Sequence, residues 1–110
     1  MNVILKRTSG CLDGSVERAT SLLKAMANKH RLLVLIKLAD REYSVRELEH
    51  VTGLGQSALS QHLARLRRDR LVTTRKSAQT VFYRLADRKV RKVLETLDYL
   101  YDREFETPLS

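Results

Sequence analysis

The sequence predicts a mainly α-helical domain whose helices are followed by a β-hairpin and one last helix, in the order ααααββα. Three observations predict it. Apolar residues recur at helical spacing in four stretches between Ser15 and Arg68, the period changes to two between Leu71 and Arg84, and helical spacing returns from Val90.

A chain of 110 residues supports one domain around one core. Residues 15–103 are expected to form it, with residues 1–14 as a flexible N-terminal arm and residues 104–110 as a frayed acidic tail carrying the only proline, Pro108. The longest apolar run, Leu32 to Ile36, is far short of the roughly 20 residues that a membrane span needs, and Met1 to Gly10 lacks the apolar region of a signal peptide. A cytoplasmic protein without a membrane partner is therefore expected.

Ser15 is placed to cap the first helix, although Arg18 three residues on withholds the acidic half of a capping box; Val16, Ala19, Leu23, Met26 and Ala27 then follow at helical spacing. Asn28 is a plausible stop. Leu32, Leu33, Val34, Leu35, Ile36, Leu38 and Ala39 are apolar nearly all round, the mark of a central buried helix. Ser44 can cap a short third helix on which Val45, Leu48 and Val51 recur every three residues, and Gly53 stands where a left-handed terminating residue is wanted. A fourth helix starts near Gln56, turning Leu59, Leu63 and Leu66 inward and Ser57, Ser60, Gln61, Arg65, Arg67 and Arg68 elsewhere. Val72 and Thr74 alternate with Thr73 and Arg75, and Val81 and Tyr83 with Phe82 and Arg84, which makes a hairpin. Its tip, Lys76 to Thr80, lacks the Asn-Gly of a tight primed turn, so a longer, mobile loop is expected. Asp87 can cap the last helix, whose stripe is Val90, Val93, Leu94, Leu97, Leu100 and Tyr101.

The net charge of +8 is unevenly placed: residues 41–92 alone carry +8, whereas residues 93–110 carry −4. A basic middle either faces a polyanion or is an ordinary solvated surface. The neighbouring features decide between these readings. Two helices joined by a short turn place the start of the second in a DNA major groove, and its first exposed polar residues are Gln56, Ser57, Ser60 and Gln61. Gln can pair with the N6 and N7 edge of adenine, and Ser can bond base edges or phosphates. Arg65 at the helix end and Arg75, Lys76 and Gln79 at the hairpin flank that face and are expected on the DNA backbone or minor groove. His62 can touch DNA, ligate a metal or simply pack; packing together with a phosphate bond fits best, because His30 and His50 lie on other helices without a two-ligand spacing. Double-stranded DNA is the expected partner, and the hairpin is then the wing of a winged helix-turn-helix.

These residues resemble the ArsR family of winged-helix repressors, above all the branch of HlyU-, NolR- and BigR-type regulators. The resemblance covers nearly the whole domain and rests on Leu22–Asn28 with Arg31–Leu33, on Gln56–Leu63, which is the most specific segment, and on Leu71–Arg75 with Ala78–Tyr83. It implies a homodimer paired through the first and last helices, with Val16 and Leu23 on one and Leu94, Leu97, Leu100 and Tyr101 on the other, seated on an imperfect palindrome where binding occludes a promoter. The breadth of the last-helix stripe independently favours such pairing.

By the same resemblance, the third-helix cysteines of arsenic and cadmium sensors fall at Ser44 and Arg46, and the last-helix zinc ligands of other members fall at Asp87, Lys89, Leu100 and Arg103. The paired redox cysteines of persulfide-sensing members fall at Ile36 and Asp102. No metal site and no cofactor is therefore expected, and the inducer is unknown. The single cysteine, Cys11, cannot form an internal disulfide; it can bridge subunits, be modified or do nothing.

An enzyme is excluded by the lack of an activated-nucleophile pairing, a phosphate-cradling glycine loop or a close carboxylate pair in an apolar setting. The remaining alternative to a DNA-binding repressor or anti-silencer is a protein-interaction module that keeps the fold. The polar helix face and basic hairpin argue against that, since neither would be needed.

Overall fold

A computed structural model describes residues 12–86 and 88–106, with the side chains of the last helix described through Asp102. The elements run α1 (Val16–Met26), α2 (Lys29–Asp40), β1 (Tyr43–Ser44), α3 (Val45–Thr52), α4 (Gln56–Arg68), β2 (Val72–Ser77), β3 (Thr80–Leu85) and α5 (Arg88–Glu106). The expected helices and hairpin are all present, and α5 extends past the expected domain boundary at Arg103. Cys11, Asp87 and most of the N-terminal arm lie outside the described residues.

The helix boundaries follow from local chemistry, with one correction. Ser15 takes the N-cap position of α1, as expected, but its Oγ makes no cap bond and instead accepts a hydrogen bond from the Arg18 guanidinium at 3.1 Å. Asn28 does more than stop α1, because its Oδ1 accepts from the backbone N–H of His30 and of Arg31, both at 3.0 Å, and so starts α2. Arg31 then reaches back and donates to the carbonyls of Ala25 (2.6 Å) and Lys24 (3.1 Å), closing the free end of α1. Ser44 caps α3 as expected, and Glu47 completes a reciprocal box by accepting from the Ser44 N–H at 2.9 Å. Gly53, at φ +74°, ends α3 in the left-handed conformation.

Helix α2 is the hub, packing against α1, α3, α4, α5 and β3. Val34, Leu35 and Leu38 are buried with Leu48 of α3, Leu59, Leu63 and Leu66 of α4, and Val90 of α5. Ile36 departs from the expectation of a helix buried all round, since it stands half in solvent.

The sheet holds two surprises. β1, a strand of two residues that sequence periodicity did not reveal, pairs antiparallel with β3 through Tyr43 with Tyr83 and Ser44 with Phe82, giving the order β1-β3-β2. The hairpin tip is not a long loop: pairing runs to Ser77 with Thr80, leaving Ala78 and Gln79 as a two-residue turn. Ala78 sits at φ +56°, so an alanine occupies a position that normally favours glycine.

Candidate nucleic-acid interface

Burial of Leu59, Leu63 and Leu66 fixes how α4 is rotated. Ser57, Gln61, Ala64 and Arg68, spaced four, three and four residues apart, therefore share the outermost face, and all are exposed. Ser60 and Arg67 stand on the flank toward the sheet, where with Arg68, Val45 and Tyr83 they line a shallow groove of about 380 Å³. Gln56 is exposed in the first turn. Gly55 has no side chain to cap this end, so the first N–H groups of α4 have no side-chain cap, and the positive end of its dipole lies beside the polar face. The four residues expected at base edges, Gln56, Ser57, Ser60 and Gln61, are brought together on one helix end.

His62 and Arg65 occupy the opposite flank, against α2. The His62 ring is half-buried, 5.7 Å from that of His30 and tilted by 41°. Burial first, and then the charges of Arg31 and His30, hold its pKa below the usual imidazole value. His62 thus packs, which is one half of the role expected of it, and its position against α2 keeps it off the outermost face, away from the phosphate bond expected as the other half. Arg65 bonds Asp69 through Nε at 3.1 Å, and Arg68 reaches the same carboxylate at 3.3 Å. Partial burial alone would raise the Asp69 pKa, but the bonds from Arg68 and Arg65 hold it below the ordinary carboxylate range.

The hairpin divides its cations between two faces. Arg75 lies opposite Phe82 and Thr73 opposite Arg84, so these four share one face, whereas Lys76 lies opposite Val81 on the face that also carries Tyr83. Arg75, expected on the DNA backbone or minor groove, is already engaged within the protein: its Nε and Nη2 hold Glu42 at 2.9 and 2.8 Å, and its guanidinium lies 4.9 Å from the Phe82 ring centroid. Those bonds hold the Glu42 carboxyl below its usual pKa. Lys76 and Gln79 are exposed. Sequence reasoning missed Tyr83 and Glu42. Tyr83 read only as a strand residue, and Glu42, 33 residues from Arg75, had no local signal.

The residues expected at a subunit contact separate into two groups. Val16, Leu23, Leu100 and Tyr101 are exposed, with Leu12 and Tyr99 beside them in sequence, whereas Leu97 is partly buried. Leu94 is corrected: only 8 % exposed, it spends its side chain in its own core with Val90. Among the described residues no three His, Cys, Asp or Glu side chains converge to hold a metal, and no helix is long and apolar enough to cross a membrane. Ser44, at one family metal position, is committed to its helix cap.

A family model described as "Bacterial regulatory protein, arsR family" matches residues 28–74, from the Asn28 cap through α4 into β2. "Transcriptional activator HlyU" of Vibrio cholerae serotype O1 is 58% identical over 82% of this chain and 83% of its own length. The chain belongs to the ArsR family. It is accordingly a transcriptional regulator and not an enzyme. The nodulation protein NolR of Rhizobium meliloti is 48% identical over 77% of this chain and 70% of that relative. Among solved structures, the ArsR-like fold superposes on the transcriptional repressor BigR from Xylella fastidiosa with a TM-score of 0.80, at 32% identity, covering 84% of this chain and 95% of that one. A fragment of Mb0332 from Mycobacterium bovis, described as a homodimeric winged helix-turn-helix DNA-binding domain, gives a TM-score of 0.76 at 26% identity, covering 86% of this chain and 88% of that one.

Proposed function

We propose that this regulator is a cytoplasmic repressor, or an anti-silencer, that binds an imperfect palindrome as a homodimer. The observation that carries the reading is the face of α4: Gln56, Ser57, Ser60 and Gln61 exposed together, beside a hairpin that projects Lys76 and Gln79. In this reading Gln56, Ser57, Ser60 and Gln61 read base edges, Arg67, Arg68, Lys76 and Gln79 engage phosphates or the minor groove, and Arg75 does so only by leaving Glu42. Arg65, expected on the DNA backbone, is instead bonded to Asp69 at the end of α4, and His62, expected to add a phosphate bond to its packing, contributes its packing against His30 of α2. Exposed Val16, Leu23, Leu100 and Tyr101 supply the apolar surface for pairing of α1 and α5, which would set two copies of α4 on one side of the dimer.

Support for the direction of regulation is divided, since BigR is named a repressor and HlyU an activator. Relief of silencing would let one mode of DNA binding serve either output. The test is fluorescence anisotropy of the full chain against pooled genomic fragments and random duplex at two salt concentrations. Selective binding that weakens steeply with salt is expected. Absence of binding to any duplex would leave the protein-interaction module as the better reading.

A further inference from the structure

We propose that Glu42 sets how tightly the hairpin grips DNA of any sequence, by clasping Arg75 and pairing more loosely with Arg84, both of which would otherwise pair with phosphates; this rests on the DNA-binding reading above. Glu42 precedes β1 in the connection from α2, far from the hairpin in sequence, and β1 pairing with β3 carries it against the hairpin face. There its Oε1 takes both Nε and Nη2 of Arg75, at 2.9 and 2.8 Å, while Oε2 lies 3.2 Å from Arg75 Nε and 3.9 Å from Arg84 Nη1. Phe82 underlies the same guanidinium. The neighbouring Arg41 stacks over the Tyr43 ring at 3.8 Å, so the connection holding Glu42 is itself tied to β1.

A carboxylate that takes two guanidinium nitrogens uses the donor geometry with which arginine grips a phosphate. Carboxylate and phosphate therefore compete for Arg75. Both arginines are about half exposed, at 46 and 56 %, so an approaching backbone could take them without unfolding the hairpin, but only by breaking the existing ion pair. Phosphate contacts carry no sequence information, so this competition lowers affinity for every duplex alike and leaves discrimination to α4. Glu42 is thus a positioning residue that acts through Arg75 and Arg84.

The experiment is anisotropy with random duplex across a salt series, on the full chain, with thermal melting of each variant as the check of folding. Glu42→Gln keeps the size and loses the charge; binding should tighten, and the slope of log K against log salt should steepen by about 1 to 2, one increment for each arginine that gains a phosphate. A folded variant with an unchanged or shallower slope would overturn the proposal. The double variant Glu42→Gln with Arg75→Gln keeps the net charge. Its slope should not fall below that of the unaltered protein, because Arg75 contributes little while clasped; a clear fall would show Arg75 on phosphate despite Glu42, and would sink the idea. Absence of salt-sensitive binding by the unaltered protein would defeat the DNA-binding reading itself and this proposal with it.

Discussion

The imidazole of His62 on α4 lies 5.7 Å from that of His30 on α2, with Arg31 adding its charge to the same contact. Protonating His62 would place a new cation beside an existing one in a half-buried seam. Because its pKa is lowered on folding, the unfolded chain binds this proton more readily. Stability linked to His62 is therefore complete above the unfolded value of about 6.5 and is lost as pH falls from there through the folded pKa.

We predict that the thermal midpoint falls between pH 7.5 and 5.5, and that His62→Gln flattens this part of the profile. The carboxylates of Glu42, Glu47 and Asp69, whose pKa values are lowered, contribute a separate loss at more acid pH, as pH falls below their unfolded values. A His62→Gln profile with the original slope between pH 7.5 and 5.5 would assign the effect elsewhere.

The hairpin turn offers a stabilising change. Ala78 at φ +56° bears a steric cost that glycine avoids, and Ser77 and Thr80 on either side are already paired. Ala78→Gly should raise stability by up to about 1 kcal/mol, the left-handed cost being partly offset by the added freedom of glycine in the unfolded chain. Denaturant titration measures it. Ala78→Val should move the midpoint the other way, since β-branching is worst tolerated at positive φ.

Base reading and backbone gripping should separate by mutation. Gln56→Ala and Gln61→Ala are expected to cut the preference for the operator over random duplex by about 1 to 3 kcal/mol each. Lys76→Ala should weaken both duplexes alike and reduce the salt slope by about 1. Equal losses on operator and random DNA for all three variants would refute this division.

Leu23 and Leu94 make a pair of opposite tests. Leu23 is 56 % exposed, so Leu23→Glu should shift the proposed homodimer toward monomer in sedimentation while each protomer keeps its helical circular dichroism. Leu94 is in the core, and Leu94→Ala should cost about 2 to 5 kcal/mol of folding stability.

Much of this protein was legible in its order of residues, for physical reasons that act over short distances. Helix periodicity placed Leu59, Leu63 and Leu66 inward and so exposed Gln61, and Ser44 and Gly53 marked the ends of α3 by chemistry that needs only a few neighbouring residues. The hairpin showed itself through its alternation, as did the family through the Gln56–Leu63 segment. Local rules were less reliable where two local options compete, as at Ser15, whose hydroxyl is taken by Arg18 rather than by the helix end, and at the hairpin tip, where strand pairing holds Ala78 in a conformation its side chain disfavours.

What the tertiary structure alone decided involves partners distant in the chain. β1 is too short to show a period and exists because β3 lies beside it. Leu94 and Leu100 read as one stripe, and the end of the core within α5 makes the first a core residue and the second a surface one. Arg75 read as a cation for the DNA backbone or minor groove, and the fold brings Glu42 to it across 33 residues. Periodicity and capping are written in neighbours, whereas the charge a side chain finally offers to solvent depends on which distant group the fold has placed against it.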